Sequence, residues 1–192
     1  MYEYGVKVRP FLGERVSGDA GIVIEEPDGL FLAIIDVLGH GSEAHELAVS
    51  ISEFLNAQNR SDLCQMLVNL DQYLRGTRGA AVGLARIDQG SGRLRYAGIG
   101  NTVIRRIGPE PSRLVSRDGT LGHIMRTPRE EELDVGRQDI ILLHTDGIHE
   151  HFDLEQYPSF ARDSAKAIAH NVVRLFGKPH DDATCIALKY PG

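Results

Sequence analysis

Gly29-Leu30-Phe31-Leu32-Ala33-Ile34-Ile35-Asp36-Val37-Leu38-Gly39-His40-Gly41 is the stretch that decides the fold. Leu30 to Val37 is an apolar, partly β-branched run, short for a helix and continuous enough for a central strand. Its one charge, Asp36, stands at the C-terminal end, and a Gly-His-Gly turn follows. Before it, Pro27-Asp28-Gly29 is a turn in which Pro fixes φ, Asp is tolerated and Gly offers φ > 0. That turn joins the run to Gly21–Glu26 and predicts a hairpin. Behind it the period changes. Ala44, Leu47, Ala48, Ile51, Phe54 and Leu55 fall at three-and-four spacing, so Ser42 to Leu55 is expected to be helical with Ser42 as N-cap. A second helix is expected from Ser61 to Leu74, capped at Ser61-Asp62-Leu63, with Leu63, Met66, Leu67, Leu70 and Leu74 on one face. Two helices in succession between strands cover a sheet and do not form a crossover.

Further strands are expected at Glu3–Arg9, Gly79–Ile87, Leu94–Gly98, Thr102–Ile107, Asp139–His144 and Ala183–Tyr190, with a weak one at Leu133–Val135. Asp88-Gln89-Gly90-Ser91-Gly92 reads as a hairpin loop. A last helix is expected from Ser159 to Leu175. Strands that cluster into meanders, with paired helices, predict an α+β domain of antiparallel sheets covered by helices, not a doubly wound parallel sheet. The 192 residues are expected to form one domain, 1–192.

Composition narrows the function. Lys and Arg number 21 against 27 Asp and Glu, a net charge of −6 that argues against neutralising nucleic-acid phosphates or an anionic membrane surface. Tryptophan is absent, so a base-stacking platform is not expected. The two cysteines, Cys64 and Cys185, make neither a disulfide scaffold nor a CxxC knuckle. They suit a reducing compartment. No apolar run is long enough to span a bilayer, and Met1-Tyr2-Glu3-Tyr4 does not open a signal peptide, so a cytoplasmic protein is expected. Arg105, Arg106, Arg113, Arg117, Arg126 and Arg129, followed by Glu130, Glu131, Glu132 and Asp134, leave two readings open: a solvated face of mixed charge, or a docking surface for an acidic or phosphorylated protein.

The aspartates carry the chemistry. Asp36 and Asp146 each follow an apolar strand directly, Asp19 precedes one, and Asp181 and Asp182 stand before the last. A carboxylate at the mouth of a buried strand is costly unless its charge is compensated. Several such carboxylates converging without a basic residue invite a hard divalent cation such as Mg²⁺ or Mn²⁺. Each Asp-Gly or Asp-Asp alone is an ordinary turn; the ordered combination is specific. His144, His149 and His151 crowd Asp146, but no His-Glu-x-x-His supports zinc. Cys64 and Cys185 lack the Cys-x5-Arg arrangement of a thiol phosphatase and read as packing residues.

Ser17-Gly18-Asp19, Asp36-Val37-Leu38-Gly39-His40-Gly41, Thr145-Asp146-Gly147-Ile148-His149-Glu150 and Asp181-Asp182-Ala183-Thr184 resemble the motif series of the metal-dependent PPM/PP2C-type serine/threonine phosphatases. They are most similar to the bacterial SpoIIE-like branch, and Tyr96-Ala97-Gly98-Ile99-Gly100-Asn101 resembles that branch's strand-and-turn signature. The resemblance implies an αββα sandwich, two antiparallel sheets flanked by helix pairs, with a site for two Mn²⁺ or Mg²⁺ ions at one edge. It implies that Asp36 bridges the metals, that the Val37 carbonyl is a ligand beside it, and that Asp146 and Asp181, rather than Asp182, hold one metal. Asp36 and Asp146 would then be catalytic. Asp19 lies beside the pair or reaches a metal through water. Gly147 would keep its turn open. Arg9 and Arg15 are candidates for binding phosphate, and His40 for a general acid or a loop support.

The size and short N-terminal strand resemble RsbX-type stressosome feedback phosphatases. The partners so implied are phosphorylated STAS-domain and stressosome scaffold proteins, and the implied role is to reset a stress-signalling pathway. The same chemistry on an anti-anti-sigma factor, a non-catalytic binding module, and a hydrolase of small phosphate esters or nucleotides are the competing readings. No P-loop is present. Oligomeric state is not readable from the sequence.

Overall fold

The computed structural model describes residues 2–58, 62–137, 139–149, 152, 160 and 162–190. In chain order the elements are β1 (Glu3–Arg9), β2 (Asp19–Glu26), β3 (Gly29–Val37), α1 (Ser42–Ala57), α2 (Leu63–Tyr73), β4 (Ala80–Asp88), β5 (Arg93–Ile99), β6 (Val103–Ile107), β7 (Ser112–Val115), β8 (Glu131–Asp134), β9 (Ile140–His144), α3 (Ala165–Phe176) and β10 (Ala183–Lys189). They make two five-stranded sheets, β1-β10-β9-β6-β7 and β2-β3-β4-β5-β8. Every strand pair within them is antiparallel.

The unbroken apolar run of β3 is explained by cover on both faces. Leu30, Leu32 and Ile34 point toward the other sheet and pack with Ile141, Leu143, Ile186 and Leu188. Phe31, Ala33, Ile35 and Val37 point the opposite way, beneath Ala44, Ala48, Ile51 and Leu55 of α1 and Met66, Leu67 and Leu70 of α2. A third cluster joins Leu142, Cys185 and Ala187 to Ile168, Ala169 and Val172 of α3. The layers are therefore helix, sheet, sheet, helix. Among the described residues the outer face of the β1-containing sheet carries one helix, α3, where a pair was expected. Most of the chain just before α3 lies outside the described residues.

Several local expectations change. In α1, Gly41 occupies the N-cap position without a side-chain bond and Ser42 is already helical. In α2, Asp62 caps through its side chain, accepting from the Gln65 amide at 2.8 Å; the expected start at Ser61 lies outside the described residues. In α3, Ser164 caps by accepting from the Ala167 amide, and the expected start at Ser159 is also outside them. The β2–β3 turn is Pro27-Asp28 alone, with Glu26 paired to Gly29. Gly29 is not needed for positive φ. It is needed because a Cβ there would meet the Ile87 carbonyl oxygen at 1.9 Å. β7, Ser-Arg-Leu-Val, was not anticipated: four residues with one charge carry little alternation. β8 starts two residues before, and ends one residue before, the Leu133–Val135 expected.

Replacing Leu32 by Ala removes a fully buried side chain between the sheets. It is expected to cost about 3 kcal/mol in urea denaturation. Val49→Ala, on the exposed face of α1, is expected to change stability by less than about 0.5 kcal/mol.

Candidate functional site

Strand alternation places the acidic groups. Asp36 lies on the same face of β3 as Leu30, Leu32 and Ile34, so it closes the inter-sheet layer at one edge of the sandwich. Asp19, the first residue of β2, is its direct cross-strand partner. From the other sheet, Asp146 leaves the end of β9 and Asp181 precedes β10. A cavity of about 410 Å³ is lined by Asp36, Asp146, Asp181, Asp118 and Asn101, among others. The sequence-predicted carboxylates therefore meet at one edge, contributed by both sheets.

Their electrostatics follow from that crowding. Burial pushes the Asp36 carboxyl well above the usual carboxylate range, and the charges of Asp19, Asp146 and Asp181 push it further. Asp36 and Asp146 also share a side-chain hydrogen bond, which needs a proton on one of them. Asp19 is 5% exposed. Burial pushes it up to about 8, aided by Asp182, Asp181 and Asp146 and opposed by a hydrogen bond from Thr145 Oγ1 at 2.7 Å. Asp181 is raised by burial and by Asp146, with Lys178 pulling it back. Among the described residues no three His, Cys, Asp or Glu side chains already stand as a closed set around a metal ion. The donor chemistry nonetheless fits a hard divalent cation: oxygen ligands, partly dehydrated, each destabilised as an anion by the others.

Asp181 and Asp182 are separated cleanly. Asp182 accepts from the Phe11 amide at 2.7 Å and from the Gly18 amide at 2.9 Å, so both its oxygens hold backbone. Asp181 is left to line the cavity. Val37 is buried by its side chain in the first core cluster, while its peptide carries the chain out of β3 beside Asp36. Gly147 is required by close approach: a Cβ there would meet the Asp182 carbonyl oxygen at 1.7 Å. Gly39 and Gly41 have φ of 88° and 80°, the left-handed region that a turn of this kind uses.

Two candidates turn out to be supports, and a third lies away from the cavity. His40 stacks on Phe11 with ring centroids 4.3 Å apart and meets Glu14 Oε1 at 3.0 Å. It therefore braces the 11–14 loop. Arg9 donates to the carbonyls of Lys178 and Asp181, the latter at 3.4 Å, and holds the segment before β10. Arg15 is exposed and does not line the cavity. Of the three histidines near Asp146, His144 is buried in β9, His149 is exposed, and His151 lies outside the described residues. Cys185 is buried and its thiol is pushed up by that burial; Cys64 packs against the helix-side core.

Sequence reasoning missed Asn101 as a working residue. Its Nδ2 donates to Asp146 Oδ2 at 2.6 Å and fixes that carboxylate. The Tyr96-to-Asn101 signature explains how. The buried Tyr96 hydroxyl contacts Thr102 Oγ1 at 3.0 Å and Ser116 Oγ at 2.8 Å, locking the turn that carries Asn101. Gly83 and Gly98 leave room for this network, since a Cβ at Gly98 would meet Ser116 Oγ at 2.1 Å. Asp118 and Lys178 were also missed. An Asp-Gly pair was the only signal for the first, and the second had none.

Comparison with known proteins agrees with the geometry. Residues 26–191 match the family Stage II sporulation protein E (SpoIIE). Phosphoserine phosphatase RsbX of Bacillus subtilis (strain 168) is 25% identical over 89 residues, 46% of this chain and 45% of that protein, so the match spans less than half of this relative. A chain from the structure described as "The bacterial stressosome: a modular system that has been adapted to control secondary messenger signaling" superposes with a TM-score of 0.90 at 26% identity, over 98% of this chain and 100% of that one. RsbX in complex with magnesium gives 0.83 at 20% identity, over 98% and 94%. The PP2C phosphatase domain of SpoIIE from Bacillus subtilis, with a fragment of its regulatory domain, gives 0.76 at 19%, over 98% and 63%. These last two likenesses bear on the fold. With its family match running over most of its length and the two-sheet architecture to go with it, the chain belongs to the SpoIIE family.

Proposed function

We propose that this chain, as one catalytic domain, is a divalent-metal-dependent protein serine/threonine phosphatase acting on phosphorylated STAS-domain or stressosome scaffold proteins. The observation that carries the chemistry is the meeting of Asp36, Asp146 and Asp181 at one cavity, with Asp19 buried beside them. The client class is supported by the close superposition on the stressosome chain. A non-catalytic module is disfavoured because each of these aspartates is present.

In this reading Asp36, with the Val37 carbonyl beside it, and Asp146 and Asp181 would together hold two Mn²⁺ or Mg²⁺ ions. The ions supply a water activated at neutral pH and positive charge for the phosphoryl oxygens. The chain does the positioning. Asn101 fixes Asp146 through its side-chain amide, and Thr145 holds Asp19 by a hydroxyl whose oxygen also accepts from the Thr184 amide at 3.1 Å. Asp182 and Arg9 pin the backbone on either side of Asp181. The charge of Lys178 favours the ionised form of Asp181.

Turnover of p-nitrophenyl phosphate and of a phosphoserine peptide is expected with Mn²⁺ or Mg²⁺ and is expected to vanish on adding EDTA. Turnover that survives EDTA overturns the metal-dependent reading. Asp36→Asn is expected to lower turnover about 100-fold or more. The same variant is expected to melt no lower than wild type in metal-free buffer, because it removes one of several mutually repelling charges. Unchanged turnover in folded Asp36→Asn sinks the ligand assignment.

Asp19 and Asp36 both have raised folded-state pKa values, so the folded protein keeps protons that the unfolded chain has lost. Stability from these groups is present at low pH and is lost as pH rises through about 8 for Asp19. His144, held down to about 4 by burial, works the other way, but only below about pH 6.5. The metal-free protein is therefore expected to lose melting temperature between about pH 6.5 and about pH 8.5. Asp19→Asn should reduce that loss. An unchanged slope in the variant refutes the assignment to Asp19.

A further inference from the structure

The carboxylate cavity adjoins a larger one of about 640 Å³, and the two share Gly100, Asn101, Asp118 and Asp146. Their charges differ. Among the described residues the carboxylate cavity is lined by no Lys or Arg, whereas the larger one is lined by Arg105, Arg113 and Lys178. Arg105 and Arg113 are engaged by other groups, Arg105 by the carbonyl and ring of Phe152. Lys178 is different: among the described residues no hydrogen bond or ion pair holds its ammonium.

The backbone of Lys178, by contrast, is fixed on both sides. Its amide donates to the Gly147 carbonyl at 2.7 Å, and its own carbonyl accepts from Arg9 Nη2. Just before it, the Gly177 amide closes α3 by donating to the Val173 carbonyl at 3.1 Å. Just after it, Pro179 and His180 form a turn that leads to Asp181, and the fixed φ of proline suits the first central place of such a turn. The turn thus carries a cation at one end and a carboxylate of the centre at the other. The cation's end is tied to Gly147, the residue after Asp146.

This placement has a purpose that the bare carboxylates do not exhaust. The charge of Lys178 favours ionised Asp181. Once divalent cations occupy the carboxylates, however, an ammonium beside them meets like charge, and an anion that touches both restores the balance. A phosphoryl group is such an anion. At Asp146, where the two cavities join, it has the carboxylate-held cations on one side and Lys178 on the other. Lysine suits this task, since it binds phosphate as a point charge on a flexible stem.

We propose that Lys178 is the phosphoryl-binding cation of this centre, reaching the oxygens of the phosphorylated side chain from the larger cavity. The inference rests on the phosphatase reading above and deepens it by assigning a residue to the phosphate, a task for which Arg9 and Arg15 are out of place. It also fixes the signs of two responses. A charge that holds phosphate repels a divalent cation, so its removal weakens phosphate binding without weakening metal binding. Loss of a structural support weakens both.

The test uses Lys178→Met, which keeps the stem and removes the charge, with Lys178→Arg as the conservative partner. Three quantities are compared with wild type: kcat/KM on a phosphoserine peptide at saturating Mn²⁺, the inhibition constant of inorganic phosphate, and the affinity for Mn²⁺ alone by calorimetry. Melting temperature checks folding. Lys178→Met is expected to lower kcat/KM and raise the phosphate inhibition constant, each by about tenfold, the scale of one charge-assisted hydrogen bond. Its Mn²⁺ affinity is expected to be unchanged or tighter. Lys178→Arg is expected to retain most of the phosphate affinity. A phosphate inhibition constant that Lys178→Met leaves unchanged, or a Mn²⁺ affinity that it weakens, overturns the assignment. If folded wild type turns over neither the peptide nor p-nitrophenyl phosphate with any divalent cation, the phosphatase reading itself fails and the assignment falls with it.

Discussion

Mutual repulsion among carboxylates in a partly dehydrated edge is the constraint on which the rest of this structure depends. Asp19, Asp36, Asp146 and Asp181 each raise the free energy of another's charge, and burial raises it again. Left alone, the group would spread toward solvent. It is held together because the strands that bear it are fixed by cores on both of their faces. A divalent cation at this edge would relieve that repulsion. The site is thus a place where the fold's packing free energy is set against electrostatics.

The supports show how that opposition is managed. Asp182 resembles its neighbour in sequence and does the opposite work, spending both oxygens on the Phe11 and Gly18 amides. Gly147 and Gly98 each mark a point where backbone or a polar side chain must pass closer than any Cβ allows. Tyr96 carries a hydroxyl into the inter-sheet layer and satisfies it on Thr102 and Ser116. That network joins β5, β6 and β7 at the turn from which Asn101 reaches Asp146. Rigidity at the carboxylates is therefore built from polar groups two contacts away from them.

Much of this was legible in the sequence, and the physics says which parts. β3, β9 and β10 are apolar on both faces and bounded by turns, so their existence and their terminal aspartates could be read directly. Helices α1, α2 and α3 announced themselves by periodicity, though the cap of α1 did not, because Gly41 supplies no side chain. β7 escaped because four residues with a charge in the second place carry almost no alternation. Asn101 was quoted within a motif but given no task, since a side-chain amide signals nothing until its partner is known. Arg9 and His40 looked chemically apt and proved to be braces. A sequence shows that a cationic side chain exists but not the carbonyl or ring that will occupy it. Within the Arg-rich segment, Arg106 and Arg126 stand within 4 Å of Glu110 and Asp118, as a solvated face of mixed charge would have them.

The pairing of β10 between β1 and β9 has a consequence for how the molecule is made. Glu3 is registered with Lys189, and the Phe11 amide is bound by Asp182, so the earliest and latest stretches of the chain meet in the same place. Contacts of such sequence separation are slow to form because a long loop must close before they repay its entropy. The sheet β2-β3-β4-β5 can assemble from local hairpins while the chain is still emerging from the ribosome. The sheet that brings Asp146 and Asp181 to it must wait for the last strand. A chain in which β10 has yet to pair therefore presents Asp19 and Asp36 without their counterparts.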